Sequence, residues 1–493
     1  MFTNTHWLVP IAVAAVFLAA CSHVALPGGY VLNFPGSSGD PLSNEDMGRL
    51  RVPDGFSVTV FESGIPNVRM MRFTDEGDLL VSAPRAGRVY LVERDVDGDG
   101  VAQGNRVLLE GLDRPHGLAL HDGWLYVAET GAVLRVRFDA KKRAVVGAPE
   151  RIIEDLPSGG RHWTRTVGVG PDDRLYVSVG SSCNACIEDD ARRAAITRYA
   201  LDGSGEEIHA TGLRNAVGFA WQPGTGALFA TDNNRDLLGD DFPPGELDVI
   251  TAGGFYGWPF ANGDRVPDPD FDEGYEAEIA ASIPPAHGFA AHTAPLGITF
   301  YEGDRFPERY RGAAFVALHG SWNRSKKIGY EVVAVLFGED DLLREEPFLT
   351  GFLHEDEVIG RPVDIAVGPD GALYVSDDYT GQIYRVAYGE GRRAAVVPGT
   401  RTAVVADPLA GIDRSALASA RKQGASLFAD GNCSSCHGPD RAEGQRPLAD
   451  LQSRYSIDSL EQFLAAPQPP MPLYPLDAAQ RRALAIYVLD RFP

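Results

Sequence analysis

Short apolar runs come in pairs along most of the chain, and each pair is separated by a turn rich in Asp and Gly. Residues 73–81 read FTDEGDLLV, and residues 365–375 read IAVGPDGALYV. Alternating or wholly apolar runs around such turns predict two strands joined by a hairpin. The pattern occurs six times, in residues 73–81, 118–127, 167–177, 219–230, 298–317 and 365–375.

The regular recurrence of these pairs predicts the architecture. A unit of about 40–50 residues that repeats with four strands is typical of a β-propeller blade. Six units predict an all-β propeller of six blades over residues 49–388. A β-sandwich would not repeat the same turn chemistry at this interval.

The C-terminal part of the chain has a different pattern. Residues 389–412 are rich in Gly, Pro and small residues without an amphipathic period, which indicates a linker. Residues 413–493 predict a small all-α domain. Asp477 and Gln480 have the spacing of a capping box, and Leu484, Tyr487 and Val488 follow on one helix face.

The helical domain contains the motif Cys433-x-x-Cys436-His437. This motif attaches haem c through both thiols and places the histidine on the iron, so it predicts a cytochrome that transfers electrons. Met471 lies between prolines before the last predicted helix, which resembles the distal-ligand segment of small monohaem cytochromes c. That resemblance implies Met471 as the sixth ligand; the alternative is a methionine that fills the core.

The N-terminus indicates export. The apolar run from Leu8 to Ala20 is too short to span a membrane, and it ends in Leu-Ala-Ala-Cys21. This ending resembles a bacterial lipobox, which implies that residues 1–21 are a signal peptide and that Cys21 becomes lipid-anchored. The expected location is the periplasm, on the outer membrane in view of Ser22, with residues 22–48 as a flexible tether. A plain secretory signal is the alternative.

The net charge and the two remaining cysteines limit the possible ligands and the cellular compartment. The formal net charge of −23 argues against binding to nucleic acid, whose phosphates would be repelled. Cys183 and Cys186 predict a disulfide in an oxidising compartment, and a metal site is the alternative.

Four loop strings carry a further resemblance. Residues 159–181 contain GGRHWTR, residues 212–221 read GLRNAVGFAW, residues 253–259 read GGFYGWP and residues 319–324 read HGSWNR. Together and in this order, these strings resemble the quinoprotein sugar dehydrogenases that use pyrroloquinoline quinone (PQQ), in the branch of sorbosone and pyranose dehydrogenases. The resemblance covers roughly residues 50–388 and implies PQQ as a cofactor.

The resemblance also implies roles for particular residues. His162 matches the catalytic base of the family, and Arg214 with Asn215 matches the pair that polarises the quinone carbonyl and contacts the cofactor. A histidine that titrates near neutrality suits proton abstraction from a hydroxyl. A buried structural histidine is the alternative for His162.

Other matches concern cofactor binding. His116 falls where relatives place a polar residue near the substrate, and Arg361 matches an arginine that binds PQQ. Arg324 is the favoured replacement for a cofactor lysine that has no clear match. Arginine suits the carboxylates of PQQ because it binds them through two parallel hydrogen bonds.

The resemblance implies Ca²⁺ beside the cofactor, since a divalent cation polarises a quinone. The Gly-Pro turn that binds it in relatives is absent after the fourth repeat. Asp240, Asp241 and Glu246 are the candidate oxygen ligands nearby.

The sequence therefore predicts a periplasmic quinohaemoprotein dehydrogenase. It would oxidise a sugar or sugar-derived aldehyde and pass electrons through its haem to an external acceptor, namely a cytochrome, a quinone or an oxidase. The alternatives are a calcium-dependent sugar lactonase-like hydrolase and a non-catalytic binding propeller that carries a cytochrome c.

Overall fold

The computed structural model describes residues 23–25, 31–33, 38–338, 342–389, 409, 412–431, 433, 437, 448, 451, 455–465 and 474–492. The chain divides into two compact units, one within Ser22–Thr400 and one within Arg401–Pro493. Four predicted features lie outside the described residues: the signal peptide with Cys21, most of the linker, Cys436 and Met471.

The first unit is a six-bladed β-propeller, as the repeats predict. Each blade is an antiparallel sheet whose first two strands are one of the six predicted pairs. Blade 1 contains Met71–Phe73, Leu79–Ala83, Arg88–Glu93 and Gly104–Leu109; blade 2 contains Leu118–His121, Trp124–Ala128, Val133–Asp139 and Ala144–Ile153. Blade 3 contains Arg165–Val169, Leu175–Val179, Ala195–Tyr199 and Glu207–Thr211; blade 4 contains Ala216–Trp221, Leu228–Asp232, Gly245–Ile250 and His287–Phe289. Blade 5 contains Pro295–Phe300, Ala314–Leu318, Glu331–Phe337 and Leu343–Leu349; blade 6 contains Pro362–Val367, Leu373–Asp377, Gln382–Tyr388 and Phe56–Ser63.

Two sets of contacts close the ring of six blades. The first strand of every blade contacts the first strand of the next blade, including the contact from blade 6 back to blade 1. The outer strand of blade 6 comes from the N-terminal side: Phe56–Ser63 pairs with Gln382–Tyr388. Because the two ends of the propeller sequence share one sheet, main-chain hydrogen bonds within blade 6 close the ring.

One short parallel strand, three short hairpins and a few helical turns lie outside the four-stranded sheets of the blades. Gly254–Phe255 adds a parallel strand to blade 3. Three short hairpins pair His23–Ala25 with Val31–Asn33, Ala261–Asn262 with Val266–Pro267, and Leu353–His354 with Glu357–Val358. The helix Glu276–Ala281 and the 3₁₀ turns Pro84–Ala86 and Glu308–Tyr310 lie in connections.

Aromatic side chains pack the interface of blades 5 and 6. Phe56, Phe306 and Phe348 are buried, and their rings meet at centroid distances of 4.7 Å for Phe56–Phe306 and 5.0 Å for Phe56–Phe348. Each buried phenylalanine contributes about 1.5–3 kcal/mol of hydrophobic stabilisation. Packing between blades therefore holds the ring, and the polar loops at its ends are left for other roles.

The predicted tether is shorter than residues 22–48. Leu42 and Met47 are buried in the propeller core, and the main-chain N–H of Leu42 donates to Gln382 Oε1 at 2.8 Å. The helix Asn44–Met47 begins at Ser43 with a capping box. Docking of this segment buries apolar side chains that the local, Gly-rich sequence pattern did not reveal.

The second unit is helical, as predicted, with helices Arg414–Asp430, Ile457–Ala465 and Ala478–Arg491. The predicted capping box is present: Gln480 N–H donates to Asp477 Oδ1 at 2.8 Å, and Asp477 N–H donates to Gln480 Oε1 at 2.9 Å. At Gly424 the first and last helices approach so closely that an added Cβ would lie 2.4 Å from the Ala483 carbonyl oxygen. Only glycine permits this crossing.

Among the described residues, no helix is both long enough and apolar enough to cross a membrane.

Candidate functional site

The candidate site lies in loops at one end of the propeller. These loops precede the first strand of a blade or connect its second and third strands. Loops of blades 3, 4 and 5 surround a cavity of about 200 Å³. Its lining consists of His162, Arg214, Asn215, Asn233, Asn234, Asp236, Pro243, Gly245, His292, Ala294, Pro295, Trp322 and Asn323. A larger cavity, of about 400 Å³, lies among turns at the other end and is lined by residues such as Asp75, Arg94 and Asp370.

His162 is arranged as a proton acceptor. Its Nδ1 lies 2.9 Å from the Ser181 carbonyl oxygen, which only accepts hydrogen bonds, so Nδ1 carries the hydrogen. The other nitrogen, Nε2, then has a free lone pair, and the described residues place no hydrogen-bond partner on it. Burial, followed by the positive charge of Arg214, lowers the pKa of His162 to about 3, so the imidazole is neutral at pH 7.

Arg214 lines the cavity, but all five of its guanidinium N–H bonds are occupied. Nε donates to Asn184 O at 3.0 Å, and Nη1 donates to the carbonyl oxygens of Asn233 at 3.0 Å and Asn234 at 2.8 Å. Nη2 donates to Asn184 Oδ1 at 2.8 Å and Asp236 Oδ2 at 2.9 Å. In this arrangement no N–H of Arg214 is left for a quinone carbonyl, so the predicted contact stays a prediction that requires the exchange of one of these hydrogen bonds. Arg214 supplies positive charge and holds three loops together.

Asn215 contacts the cavity with an unused acceptor. Its Oδ1 is buried and has no hydrogen-bond partner among the described residues. Gly180 passes between Asn215 and His162: an added Cβ there would lie 2.5 Å from Asn215 Oδ1 and 2.7 Å from His162 Cβ. The absence of a side chain at this position lets the two residues stand next to each other.

Three of the four loop strings donate hydrogen bonds to the same two residues, Asn184 and Asp236. Asn184 O accepts hydrogen bonds from Arg214 and from Trp258 Nε1, the latter at 3.1 Å. Asp236 accepts from Arg214 and from Asn323 Nδ2, the latter at 3.2 Å. The strings around Arg214, Trp258 and Asn323 thus share two acceptors that the sequence did not single out.

The predicted disulfide between Cys183 and Cys186 is confirmed. It lies in the loop between the second and third strands of blade 3, which also carries Ser181 and Asn184. With both sulfur atoms bonded to each other, the alternative of a metal site at this pair is wrong.

His116 does not line the cavity. It is fully buried, with Nδ1 3.2 Å from the Arg165 carbonyl oxygen and its ring edge-on to Trp163 at 5.6 Å. Its Nε2 is buried without a partner among the described residues. Burial and the nearby Arg69 hold the pKa of His116 well below its usual range. The predicted contact with a bound molecule therefore has an unused acceptor to support it, but it lies outside the 200 Å³ cavity.

Arg361 belongs to a chain of four charged or polar side chains in blades 1, 5 and 6. Arg361 Nη2 donates to His319 Nδ1 at 2.9 Å, His319 Nε2 donates to Asp378 Oδ1 at 2.8 Å, and Arg69 Nη1 donates to Asp378 Oδ2 at 2.6 Å. Burial lowers the pKa of His319 to about 4, and its neighbours hold the pKa of Asp378 far below the usual range. The chain carries two cations and one anion, so it has excess positive charge.

Arg324 does not line the cavity either. It donates to the main-chain carbonyls of Asp240 and of Ala291, and it pairs with Asp241 at 3.0 Å. Asp240 in turn accepts from Ser325. Arg324 therefore holds the loop of blade 4 against blade 5 in this structure, instead of presenting its guanidinium to a ligand.

The predicted calcium ligands do not cluster as expected. Asp241 is exposed and paired with Arg324, whereas Glu246 is buried beside Asp232 and Asp248. Oxygen atoms of Asp232, Glu246 and Asp248 lie within 4.8 Å of one another, and both carboxylate oxygens of Asp248 are buried without hydrogen-bond partners among the described residues. Asp240 and Asp241 do not belong to this cluster, and their role as calcium ligands stays a prediction.

Burial dominates the electrostatics of these three carboxyl groups. It raises the pKa of Asp232 to about 6, and burial with the charge of Asp232 raises that of Glu246 to about 8. The pKa of Asp248 is raised well above its usual range for the same reasons. Three carboxyl groups at this separation fit either shared protons or a hard divalent cation.

Several buried arginines give this end of the propeller a positive character despite the net charge of −23. Arg165 is fully buried and donates to main-chain carbonyls, including His162 O at 3.0 Å. Arg193 donates to Gly180 O at 3.2 Å. Guanidinium groups held by carbonyl oxygens keep their charge uncompensated, and that charge favours an anionic ligand.

The sequence pointed to His162, Arg214 and Asn215 but missed Asn184, Asp236 and the partners of Glu246. Asn184 stood inside the CxxC spacing, and the alternation of the strand that contains Glu246 and Asp248 placed both on one face. The second of these patterns would have suggested the carboxylate cluster.

The haem motif is described in part. Cys433 follows the first helix of the second unit, and the main-chain N–H of His437 donates to Cys433 O at 2.9 Å. Tyr474 Oη donates to Gly431 O at 2.7 Å and ties the segment before the last helix to the start of the motif. These contacts place Cys433 and His437 one helical turn apart.

Comparison with known proteins agrees with both units. Residues 50–243 and 275–389 match the family model described as TrAA12-like, and residues 422–491 match the model described as Cytochrome c. An uncharacterized protein of Borreliella burgdorferi is 30% identical over 362 residues, which cover 70% of this chain and 93% of that protein. A pyrroloquinoline quinone-dependent pyranose dehydrogenase of Coprinopsis cinerea is 23% identical over 412 residues, which cover 68% of this chain and 54% of that protein.

Solved structures share the propeller fold. An iodide structure of the Trichoderma reesei carbohydrate-active enzyme of family AA12 superposes with a TM-score of 0.60 at 23% identity, over 69% of this chain and 97% of that one. The holo PQQ domain of the Coprinopsis cinerea pyranose dehydrogenase gives a TM-score of 0.59 at 21% identity, over 74% of this chain and all of that one. The predicted likeness to PQQ-dependent sugar dehydrogenases, with a C-terminal cytochrome c domain, is confirmed.

Proposed function

Because this chain belongs to the TrAA12-like family, we propose that it is an oxidoreductase that oxidises a sugar or sugar-derived aldehyde with PQQ and delivers the electrons to haem c. The relatives named as PQQ-dependent pyranose or sugar dehydrogenases support the cofactor and the substrate class. The cytochrome c domain supports a one-electron exit to an external acceptor. A cytochrome, a quinone or an oxidase would serve as that acceptor.

The single observation that carries this proposal is the hydrogen-bonding state of His162. A neutral imidazole whose Nδ1–H is fixed by Ser181 presents Nε2 as a base on the wall of the cavity. PQQ, when bound, supplies the acceptor for the hydride that leaves the substrate carbon. His162 Nε2 would take the hydroxyl proton in the same reaction, since it faces the cavity with a free lone pair.

The cavity end of the propeller fits a tricarboxylate cofactor. Arg165, Arg193 and Arg361 concentrate positive charge there, which suits its carboxylates. Asn215 Oδ1 and His116 Nε2, which have no partner among the described residues, are available to accept hydrogen bonds from N–H or O–H groups of the cofactor or substrate. A polyanion would offset this charge and would accept hydrogen bonds from Arg361 if it displaced His319.

The positive charge of nearby arginines also affects the protonation state of His162. The charged groups that lower its pKa are arginines, so an anionic cofactor nearby raises the pKa from about 3 toward the usual range. Cofactor binding would therefore strengthen the base that the reaction uses.

We also propose that Ca²⁺ binds at Asp232, Glu246 and Asp248. The unpartnered oxygens of Asp248 support this assignment, since a buried ionised carboxylate is unfavourable unless a cation compensates it. Main-chain N–H groups of Arg214 and Asn215 donate to Asp232 at 2.8 and 2.6 Å. A cation here would stabilise the segment that carries Arg214 and Asn215.

A third proposal concerns location. The lipobox-like ending at Cys21 supports export and lipid anchoring in the periplasm. The Cys183–Cys186 disulfide supports an oxidising compartment. Labelling of the expressed protein with a radioactive fatty acid, compared with a Cys21→Ser variant, tests the anchor: label that persists in the variant would contradict it.

Haem reduction tests the main proposal. The full-length holoprotein is loaded with PQQ and Ca²⁺, mixed with a panel of aldoses, sugar aldehydes and alcohols, and followed by the absorbance bands of ferrous haem. We expect reduction with at least one sugar and none without PQQ. Protein that binds PQQ but reduces no haem with any substrate would overturn the proposal, and lactone hydrolysis without PQQ would favour the hydrolase alternative.

Thermal unfolding tests the calcium site. Ca²⁺ should raise the unfolding temperature of the wild-type propeller after treatment with a chelator. Because the pKa of Asp248 is raised in the folded protein, folding at pH 7 without Ca²⁺ requires this carboxyl group to take up a proton. The Asp248→Asn variant removes that cost, so we expect it to be more stable than wild type without Ca²⁺ and to gain less on its addition. Equal gains in both proteins would contradict the assignment.

A further inference from the structure

The Cys183–Cys186 disulfide closes a loop that contacts Arg214 directly. Asn184, inside the loop, accepts two of the five Arg214 hydrogen bonds: its O accepts from Nε at 3.0 Å, and its Oδ1 accepts from Nη2 at 2.8 Å. Asn184 is itself held by Asp236, whose main-chain N–H donates to Asn184 Oδ1 at 2.9 Å. The position of the loop therefore decides where the Arg214 guanidinium lies.

The same loop reinforces the tautomer of His162 that the Ser181 carbonyl oxygen favours. Ser181 Oγ donates its hydrogen to Cys183 O at 2.7 Å. The hydroxyl oxygen then offers only lone pairs to His162 Nδ1, which lies 3.0 Å away. Both oxygens of Ser181 that face Nδ1 are acceptors, so Nδ1 must carry the hydrogen and Nε2 must be the free base.

We propose that the disulfide-closed loop Cys183–Cys186 is a positioning element for the proposed reaction, which holds Arg214 in place and keeps His162 in its proton-accepting tautomer. This inference rests on the proposed function. The oxidised loop is then the active form of the protein. A dithiol reductant transfers two electrons and two protons to the disulfide, yields two thiols and is itself oxidised to a cyclic disulfide, and it leaves the loop open.

Opening the loop has a predictable electrostatic effect. The charged groups that face His162 are Arg214, Arg165 and Arg193, and all three lower its pKa. Loss of Asn184 removes two of the five hydrogen bonds of Arg214, and the remaining three, to Asn233, Asn234 and Asp236, draw the strongest of these charges toward blade 4 and away from His162. The pKa of His162 then rises, so more of it is protonated at a given acidic pH and the acid limb of the pH–rate profile moves to higher pH.

The experiment uses the full-length holoprotein in two forms. In the first, wild type is reduced with a dithiol, alkylated with excess iodoacetamide and freed of reagent, and mass spectrometry checks that Cys183 and Cys186 are modified. In the second, both are replaced (Cys183→Ser with Cys186→Ser). Wild type alkylated without reduction is the matched control. Sugar-dependent haem reduction, its pH profile and the circular dichroism of the propeller are measured for each.

We expect kcat to fall about ten- to a hundredfold in the opened forms, because displacement of a catalytic group by about 1 Å has effects of this size. The acid limb should move to higher pH, while the control and the circular dichroism stay unchanged. Asn184→Ala keeps the disulfide and removes one acceptor of Arg214, so it should shift the limb in the same direction by less. If the double serine variant does not fold, the Asn184→Ala variant tests the positioning role of the loop.

Two results would overturn the inference: unchanged kcat in the alkylated, reduced protein, or a lower kcat with an unshifted pH profile, which a merely structural loop would produce. Absence of turnover in wild type would count against the proposed function instead. In that case ¹⁵N shifts of the His162 ring nitrogens in full-length protein, before and after reduction, test the tautomer without activity. Identical shifts in the two states would overturn the positioning role.

Discussion

Two partly buried histidines at the same end of the propeller are hydrogen-bonded in opposite ways. His162 donates Nδ1–H to Ser181 and leaves Nε2 without a partner, whereas His319 accepts from Arg361 at Nδ1 and donates from Nε2 to Asp378. Both are neutral at pH 7 because burial lowers their pKa, to about 3 and about 4. Only His162 can take a proton without breaking a hydrogen bond, so burial alone does not identify a base; the pairing of its second nitrogen does.

The largest expected effect is the loss of His162. Replacement by Ala removes the base, and we expect kcat to fall about 10²–10⁴-fold, the range for loss of a general base. Haem content and the fold should be retained, because Nε2 makes no contact that holds the structure. Haem reduction by the active sugar measures the effect. His121→Ala, at the end of the first strand of blade 2 and at the other end of the propeller, is the control, and an equal loss there would contradict the assignment.

For His319, whose two ring nitrogens are both hydrogen-bonded, the comparison predicts a loss of stability when its acceptor Asp378 is removed. Asp378→Ala leaves Arg69 buried without its carboxylate and leaves His319 without its acceptor. Removal of one partner from a buried ion pair costs about 3–5 kcal/mol in the free energy of unfolding. Urea unfolding followed by tryptophan fluorescence measures it. His162→Ala is the reference, and similar losses in both variants would mean that the two histidines do not differ in role.

Gly180 tests how closely His162 and Asn215 must stand. A Cβ at this position would collide with both, so Gly180→Ala should displace them and lower kcat about tenfold or more. Gly159→Ala, in the adjacent loop, is the matched control because an added Cβ there meets no atom within 4 Å. Equal kcat values in the two variants would show that the spacing is not critical.

The smallest effect is a difference in chemical reactivity. Diethyl pyrocarbonate acylates unprotonated imidazole nitrogens that are free of hydrogen bonds, so it should modify His162 before His319. PQQ should protect His162 from the reagent. Peptide mass spectrometry at pH 6.5 follows both residues, and faster modification of His319 would contradict the bonding described for the pair.

The propeller was predictable because its determinants are local. Each strand pair is encoded within about a dozen residues by period-two alternation and a turn, and the capping box of Asp477 and Gln480 spans four residues. The haem motif is equally compact. The docking of Leu42 and Met47 was not predictable in this way, since the surface that covers them comes from residues more than 250 positions away.

The sequence by itself determined the six blades, the helical cytochrome domain, the disulfide and the choice of His162 as the residue to test. Only the tertiary structure decided that Arg214 has no free donor, that Glu246 joins Asp232 and Asp248, and that Arg324 binds a loop. The reason is physical. A side chain's hydrogen bonds depend on which loops the closed ring brings together, and the acceptors of Arg214 come from two loops of different blades.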